Sequence, residues 1–465
     1  MSSGQSFSDG AVWSAVLLSA VILGSLIVAN IIKRNVKLLK KSLVPVSVLG
    51  GIILLIISVI VKAATGDYLF NLEVFRAGSS RTGIETLEIV TYHCLAIGFI
   101  AMTLRKSSSS GKTRTRDVIN TGVTTVSTYL VQATVGLIVT IIAANFVPKL
   151  IKAAGLLLAF GYGQGTGQAL NYGSIYEGYG FEGGKSFGLT VAAMGFLSAS
   201  LVGIFYLNHK RKKGELTVRE EINELNREKV EDDGEIPMIE SIDKITMEIA
   251  LVAICYAGAY GIMYLLGNVA GGLKSTIYGF NFLFGALMGV ILKLLINFLR
   301  KKKIMKRDYI NNFLLNRISG LAFDIMIVAG IGAIQIDLIT DYWFVLVLIC
   351  VLGAGLTFAY IKLVSDKLFP DYANEQFLAM FGMLTGTAST GVILLREVDP
   401  EFETPASENL VYQNFPAIVC GFPIMLLASY APQSDMAVYI CLGAVVAIFV
   451  VLNIFLFRSK LFKKK

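Results

Sequence analysis

Two glycine- and threonine-rich stretches carry the residue types that could recognise a small charged solute. The first, "FGYGQGTG", runs from Phe160 to Gly167 and is followed by Gln168 and Asn171; the second, "FGMLTGTASTG", runs from Phe381 to Gly391. Both lie in otherwise apolar sequence. Glycine adopts backbone angles closed to other residues and lets two segments approach closely, so such a stretch can turn back on itself and expose its amides and carbonyls. Free N–H groups at a half-helix N-terminus, with about half a positive charge there, attract a carboxylate. Free carbonyls and the hydroxyls of Thr166, Thr385, Thr387, Ser389 and Thr390 could coordinate a small hard cation such as sodium. Small residues also permit tight helix packing in membranes, and for a single motif that reading competes with the functional one.

Two ionisable residues add to this set. Asp324, mid-span in "LAFDIMIVAG", could neutralise a cation, and Arg396, in "LLREVDP", could meet a substrate carboxylate as a bidentate partner. Asp324 could equally be a buried structural partner, and Arg396 could snorkel to the surface or pair with Glu397. The candidate substrate contacts are therefore Gly163, Gln164, Gly165, Thr166, Gly167, Gln168, Asn171, Thr387, Ser389, Thr390 and Arg396. The candidate sodium ligands are Thr166, Asp324, Thr385, Gly386 and Thr387. Glu88 and Glu248 fall near span ends and are expected at the interface.

The elements that must hold these residues are membrane helices. Hydrophobic residues make up 55% of the chain and charged ones 16%, with 45 glycines, and the mean hydropathy is +0.67. Uncharged stretches recur at the ~20 residues that cross a ~30 Å hydrocarbon core. Spans are expected at 12–32, 43–63, 86–104, 117–147, 184–207, 244–267, 273–299, 312–334, 341–364, 408–431 and 437–457. The first is too long for a signal peptide's apolar region and has its basic residues after it. The Gly/Thr-rich segments near 150–177 and 372–397 do not read as simple spans.

The 41 Lys+Arg against 33 Asp+Glu do not point to nucleic acid, because the basic residues gather in short runs between spans, where they orient helices. Eleven crossings, with both odd segments entering and leaving by one face, put every one of those runs in the cytoplasm. The N-terminus is then outside and the C-terminus cytoplasmic, and both odd segments are expected to be re-entrant hairpins. The polar stretch 208–243 is a cytoplasmic linker. No metal spacing exists among the five cysteines and two histidines, and no cofactor is expected beyond a small cation such as Na+.

Placing Phe160 on Phe381 also brings Gly161, Gly165 and Thr166 onto Gly382, Gly386 and Thr387, and Phe181 and Glu182 onto Phe402 and Glu403. The halves then run in opposite directions across the bilayer. Inverted repeats with broken helices at matching positions mark secondary transporters, whose sites lie near the midplane. The expected fold is all-α: two inverted five-helix repeats (1–207 and 244–431), each with a re-entrant hairpin, and an extra C-terminal helix with a basic tail (437–465).

At these residues the sequence resembles the bacterial glutamate:sodium symporter family, whose "GGHGTG"-like loop and "ERYGF"-like stretch correspond to "GYGQGTG" (Gly161 to Gly167) and "EGYGFEGG" (Glu177 to Gly184). The early "LVPVSVLGG", Leu43 to Gly51, and the central polar loop fit the same layout. Gln164 stands where that motif has His, the second loop is a weak version, and the last span is additional. The resemblance implies sodium-coupled uptake of glutamate across the plasma membrane, and a homodimer in which a hairpin-bearing domain slides against a scaffold. Another small carboxylate, or proton coupling through Asp324, is the alternative. A channel and an intramembrane enzyme fit less well: there is no H-E-x-x-H, and no Ser/His/Asp set assembles around His93 and His209.

Overall fold

The computed structural model describes residues 10–40, 42–76, 81–106, 115–213, 243–269, 274–305, 307–399 and 404–461. Most of the expected linker, 214–242, lies outside the described residues, as do Phe402, Glu403 and the last four residues of the basic tail. Among the described residues, eleven helices are long and apolar enough to cross a bilayer, and no strand occurs. The protein is thus a polytopic, all-α membrane protein.

Four long helices open the chain: α1 (Gly10–Asn35), α2 (Val46–Thr65), α3 (Gly83–Leu104) and α4 (Thr115–Ala143). Two short ones follow, α5 (Leu157–Gln164) and α6 (Thr166–Glu177), and then the long α7 (Gly184–Lys212). The order recurs after the linker. Long helices α8 (Lys244–Val269), α9 (Asn281–Lys301), α10 (Asn312–Gly332) and α11 (Trp343–Leu368) precede the short α12 (Ala373–Thr385) and α13 (Ala388–Arg396). A further short helix, α14 (Ala406–Tyr412), leads to α15 (Asn414–Tyr430), and α16 (Asp435–Leu461) ends the chain.

Two expected spans are subdivided. The segment 273–299 begins as a separate short helix, Lys274–Gly279, before α9. The segment 408–431 is interrupted at Gln413, and α15 carries Pro416 in its first turn, where a missing N–H costs no helical hydrogen bond.

α4 and α7 supply the packing surfaces for the short helices. α4 buries a stripe of hydroxyls that bond back to its own carbonyls: Thr121 Oγ1 donates to Asp117 O at 2.7 Å, Thr124 to Asn120 O at 2.6 Å and Thr128 to Thr124 O at 2.8 Å. These threonine hydroxyls are therefore enclosed without being orphaned. α7 is a rail of small residues. A Cβ on Gly188 would stand 2.5 Å from Ala169 O, one on Gly195 2.4 Å from Thr385 O, and one on Gly203 2.6 Å from a Leu394 methyl. Both pairs of short helices thus reach the α7 backbone itself, the close approach by which helices associate where water drives nothing together.

The chain forms two compact units. The first holds the described residues of Met1–Glu88, Ser110–Glu221 and Ile327–Lys465, and so contains the short helices α5, α6, α12 and α13. Its core includes Tyr206, Phe377, Phe381, Leu384 and Leu394. The second, from Ile89–Ser109 and Ile222–Met326, has its own core of Ile100, Leu104, Val252, Cys255, Ile296 and Leu315. Each unit draws on both sequence halves. Glu248 is fully buried in the second unit, where it accepts from the Asn311 N–H.

Candidate functional site

The break between α5 and α6 is made by one residue. Gly165 takes φ +78°, ψ −169°, a region that is essentially closed to side chains. The helices then fold back on one another. The rings of Phe160 and Tyr172 stack with centroids 3.8 Å apart, whereas a continuous helix would hold them roughly 18 Å apart along its axis. α6 restarts with Ala169 N–H donating to Gly165 O at 3.1 Å. The N–H groups of Thr166, Gly167 and Gln168 precede that first bond and form the positive end of the new helix.

The break between α12 and α13 has a different chemistry. Gly386 and Thr387 have negative φ values, and Thr387 is the N-cap of α13, its hydroxyl accepting from Thr390 N–H at 3.4 Å. Thr390 Oγ1 lies 3.4 Å from the same hydroxyl. These arms also fold back: a Cβ on Gly382 would stand 2.8 Å from Gly391 Cα, and one on Gly391 2.4 Å from Ala379 O. Thr385 Oγ1 is committed to Phe381 O at 2.7 Å.

The two breaks meet. A Cβ on Gly165 would lie 3.6 Å from Thr387 Cγ2 and 3.7 Å from Gly386 O. Four helix ends therefore converge within the first unit: the carbonyl ends of α5 and α12, which attract cations, and the N–H ends of α6 and α13, which attract anions. Gly330, near the end of α10, closes one side: a Cβ there would stand 2.9 Å from Thr166 Cβ.

Gln132, on α4, joins the two hairpins. Its Nε2 donates to Leu384 O at 2.8 Å, in the last turn of α12, and to Thr357 Oγ1 at 3.0 Å. Its Oε1 lies 3.2 Å from the place a Cβ would take on Gly163, in the last turn of α5. That oxygen is buried and has no hydrogen-bond partner among the described residues, and the same holds for Nε2 of Gln164 and of Gln168. Towards its N-terminus α4 continues the polar contact with the second hairpin. Thr121 accepts from Gln376 at 3.0 Å, Asn409 donates to Tyr372 Oη at 2.9 Å, and that hydroxyl donates to Asp117 at 3.0 Å.

Most of the residues proposed from sequence come together here: Gln164, Gly165, Thr166, Gly167 and Gln168 at the first break, Thr385, Gly386, Thr387 and Thr390 at the second. Asn171 reaches the first through Gln168 Oε1 at 3.3 Å. Gly163 serves packing, since a Cβ there would stand 2.3 Å from the Tyr129 ring. Ser389 lies in the first turn of α13, and its side chain is outside what the structure describes. Arg396 is exposed at the far end of α13, about 12 Å along the axis from the break. Asp324 belongs to the second unit and is exposed on α10. Gln132 was not foreseen; its only signal was an uncharged amide in the middle of a span, beside more conspicuous ionisable residues.

No group of three or more His, Cys, Asp or Glu side chains that could hold a metal ion occurs among the described residues. The arrangement defines a class: a polytopic helical membrane protein with two broken-helix hairpins meeting tip to tip. No family model matches the chain, and a search of the curated proteins finds no match either.

Proposed function

We propose that the protein is a secondary active transporter that couples inward movement of Na+ to uptake of glutamate across the plasma membrane. The observation that carries this reading is the meeting of the two breaks, Gly165 against Thr387, because it gathers helix ends of both polarities at one buried place. A zwitterionic dicarboxylate with a co-bound cation needs both polarities. Its carboxylates suit the N–H ends of α6 and α13 and the uncommitted Nε2 donors of Gln164 and Gln168. The cation suits the carbonyl ends of α5 and α12 and the hydroxyls of Thr387 and Thr390.

In this reading both hairpins are re-entrant, the two halves are inverted repeats, the N-terminus is outside and the C-terminus cytoplasmic. Broken backbone at membrane depth persists only where protein or a wet cavity surrounds it, and the α4 and α7 surfaces provide that enclosure. The separation into a hairpin-bearing unit and a second helical unit supports an elevator-type alternating access, with a homodimer as the assembly. Sodium adds positive charge beside the carboxylate site, so each ligand tightens the other by the same factor.

The test is uptake of labelled glutamate into proteoliposomes containing the purified protein. An inward sodium gradient should drive accumulation above the outside concentration, and replacing sodium by choline should abolish it. Uptake indifferent to that replacement overturns the coupling, and saturable sodium-driven uptake of a different carboxylate overturns glutamate alone.

A further inference from the structure

We propose that Gln132 is a ligand for positive charge at the meeting of the two hairpins: its Oε1 receives the coupling cation or the ammonium group of the substrate. This deepens the transport reading and rests on it.

The orientation of the amide is decided by its neighbours. Leu384 O can only accept, so the end of the side chain that touches it at 2.8 Å must be Nε2. Oε1 is then turned to the other hairpin, beside Gly163. Gln132 is fully buried, and an acceptor left unpaired at such a place is costly unless something donates to it or binds it. Its surroundings select the sign. Gly163 and Leu384 occupy the last turns of α5 and α12, so Oε1 sits where two helices present their carbonyl ends, the negative ends of their dipoles. An anion is repelled there, and a small cation or an ammonium group finds an oxygen already oriented by two hydrogen bonds. Because Nε2 holds the second hairpin while Oε1 faces the first, a bound cation would also tie the two hairpins together.

Purified protein in detergent is assayed for binding of labelled sodium, glutamate and glutarate, the last having both carboxylates but no ammonium. Gln132→Met should weaken either sodium binding without substrate, which places the cation on Oε1, or glutamate binding with glutarate spared, which places the ammonium there. In either case the loss should be about tenfold or more. Gln132→Glu keeps an acceptor at this position, so the weakened ligand should be bound better than by Gln132→Met at neutral pH. A role limited to bridging the hairpins predicts that Gln132→Glu, whose carboxylate cannot donate to Leu384 O, binds no better than Gln132→Met at neutral pH. Thr357→Val, which removes one Nε2 acceptor but leaves Oε1 in place, should bind nearly as the wild type. Thermal unfolding of each variant controls for loss of the fold. Wild-type affinities in Gln132→Met, or binding by Gln132→Glu no better than by Gln132→Met at neutral pH, overturn the assignment while leaving the transporter reading intact. Absence of both sodium and glutamate binding in the wild type overturns that reading and the assignment with it.

Discussion

Gly165 and Thr387 face each other across the two helix breaks, so that a Cβ on Gly165 would stand 3.6 Å from Thr387 Cγ2. That is ordinary van der Waals contact, so space does not exclude a methyl group at Gly165. Its backbone does, at φ +78°, ψ −169°. Gly165→Ala should therefore cost about 1–3 kcal/mol of stability and suppress sodium-dependent uptake, and adding Thr387→Ala should not restore either. Recovery in the double variant, read by thermal unfolding in detergent, would show that crowding rather than backbone conformation is the constraint.

Thr387 should matter through its hydroxyl. As the N-cap of α13 it accepts from Thr390 N–H, and removing such a cap costs about 0.5–2 kcal/mol. Thr387→Ser should retain glutamate binding close to that of the wild type, whereas Thr387→Val should weaken it and lower the unfolding midpoint. Equal binding by the two variants would remove the hydroxyl from the site.

The α7 rail is sensitive to single methyl groups. A Cβ on Gly195 would stand 2.4 Å from Thr385 O, a backbone atom that cannot rotate away, so Gly195→Ala should destabilise by about 1–3 kcal/mol. Gly355 on α11 has nothing within 4 Å of its Cβ position. Gly355→Ala should be neutral or stabilising by up to about 1 kcal/mol. Unfolding curves for the pair measure the contrast directly.

Lys185 ties the start of α7 to two carboxylates, Glu88 Oε2 at 2.8 Å and Glu177 Oε2 at 3.3 Å. Glu88 is largely enclosed, at 14% side-chain exposure, so Lys185→Met should cost about 1–3 kcal/mol by leaving it unpaired. Glu88→Gln should then cost less in the Lys185→Met background than alone, because its cation is already gone. Additive losses in the double-mutant cycle would mean the contact carries no coupling.

Sodium and glutamate should affect each other's equilibrium affinity by the same factor, as linkage requires when two ligands share one site. Glutamate titrations at low and high sodium, set against sodium titrations with and without glutamate, measure both factors. Glutamate affinity that does not rise with sodium would break the proposed coupling.

The eleven apolar helices and the positions of both breaks were legible in the sequence, because each depends on neighbours along the chain. A span is a local sum of hydropathy, and a break at Gly165 follows from what glycine alone permits. The subdivision at Gln413 was missed because the hydropathy window averages across it, although Pro416 marked the new start. What only the tertiary structure decided is which distant residues share a place. Gln132, Leu384 and Gly163 are brought together by packing between α4, α12 and α5, and Asp324 is assigned to a different unit from the breaks. A neutral amide has no hydropathy signature that separates a helix-packing glutamine from one bridging two hairpins. Its role is set by the partners it meets and by the one oxygen left without any, and those depend on contacts between segments far apart in the chain.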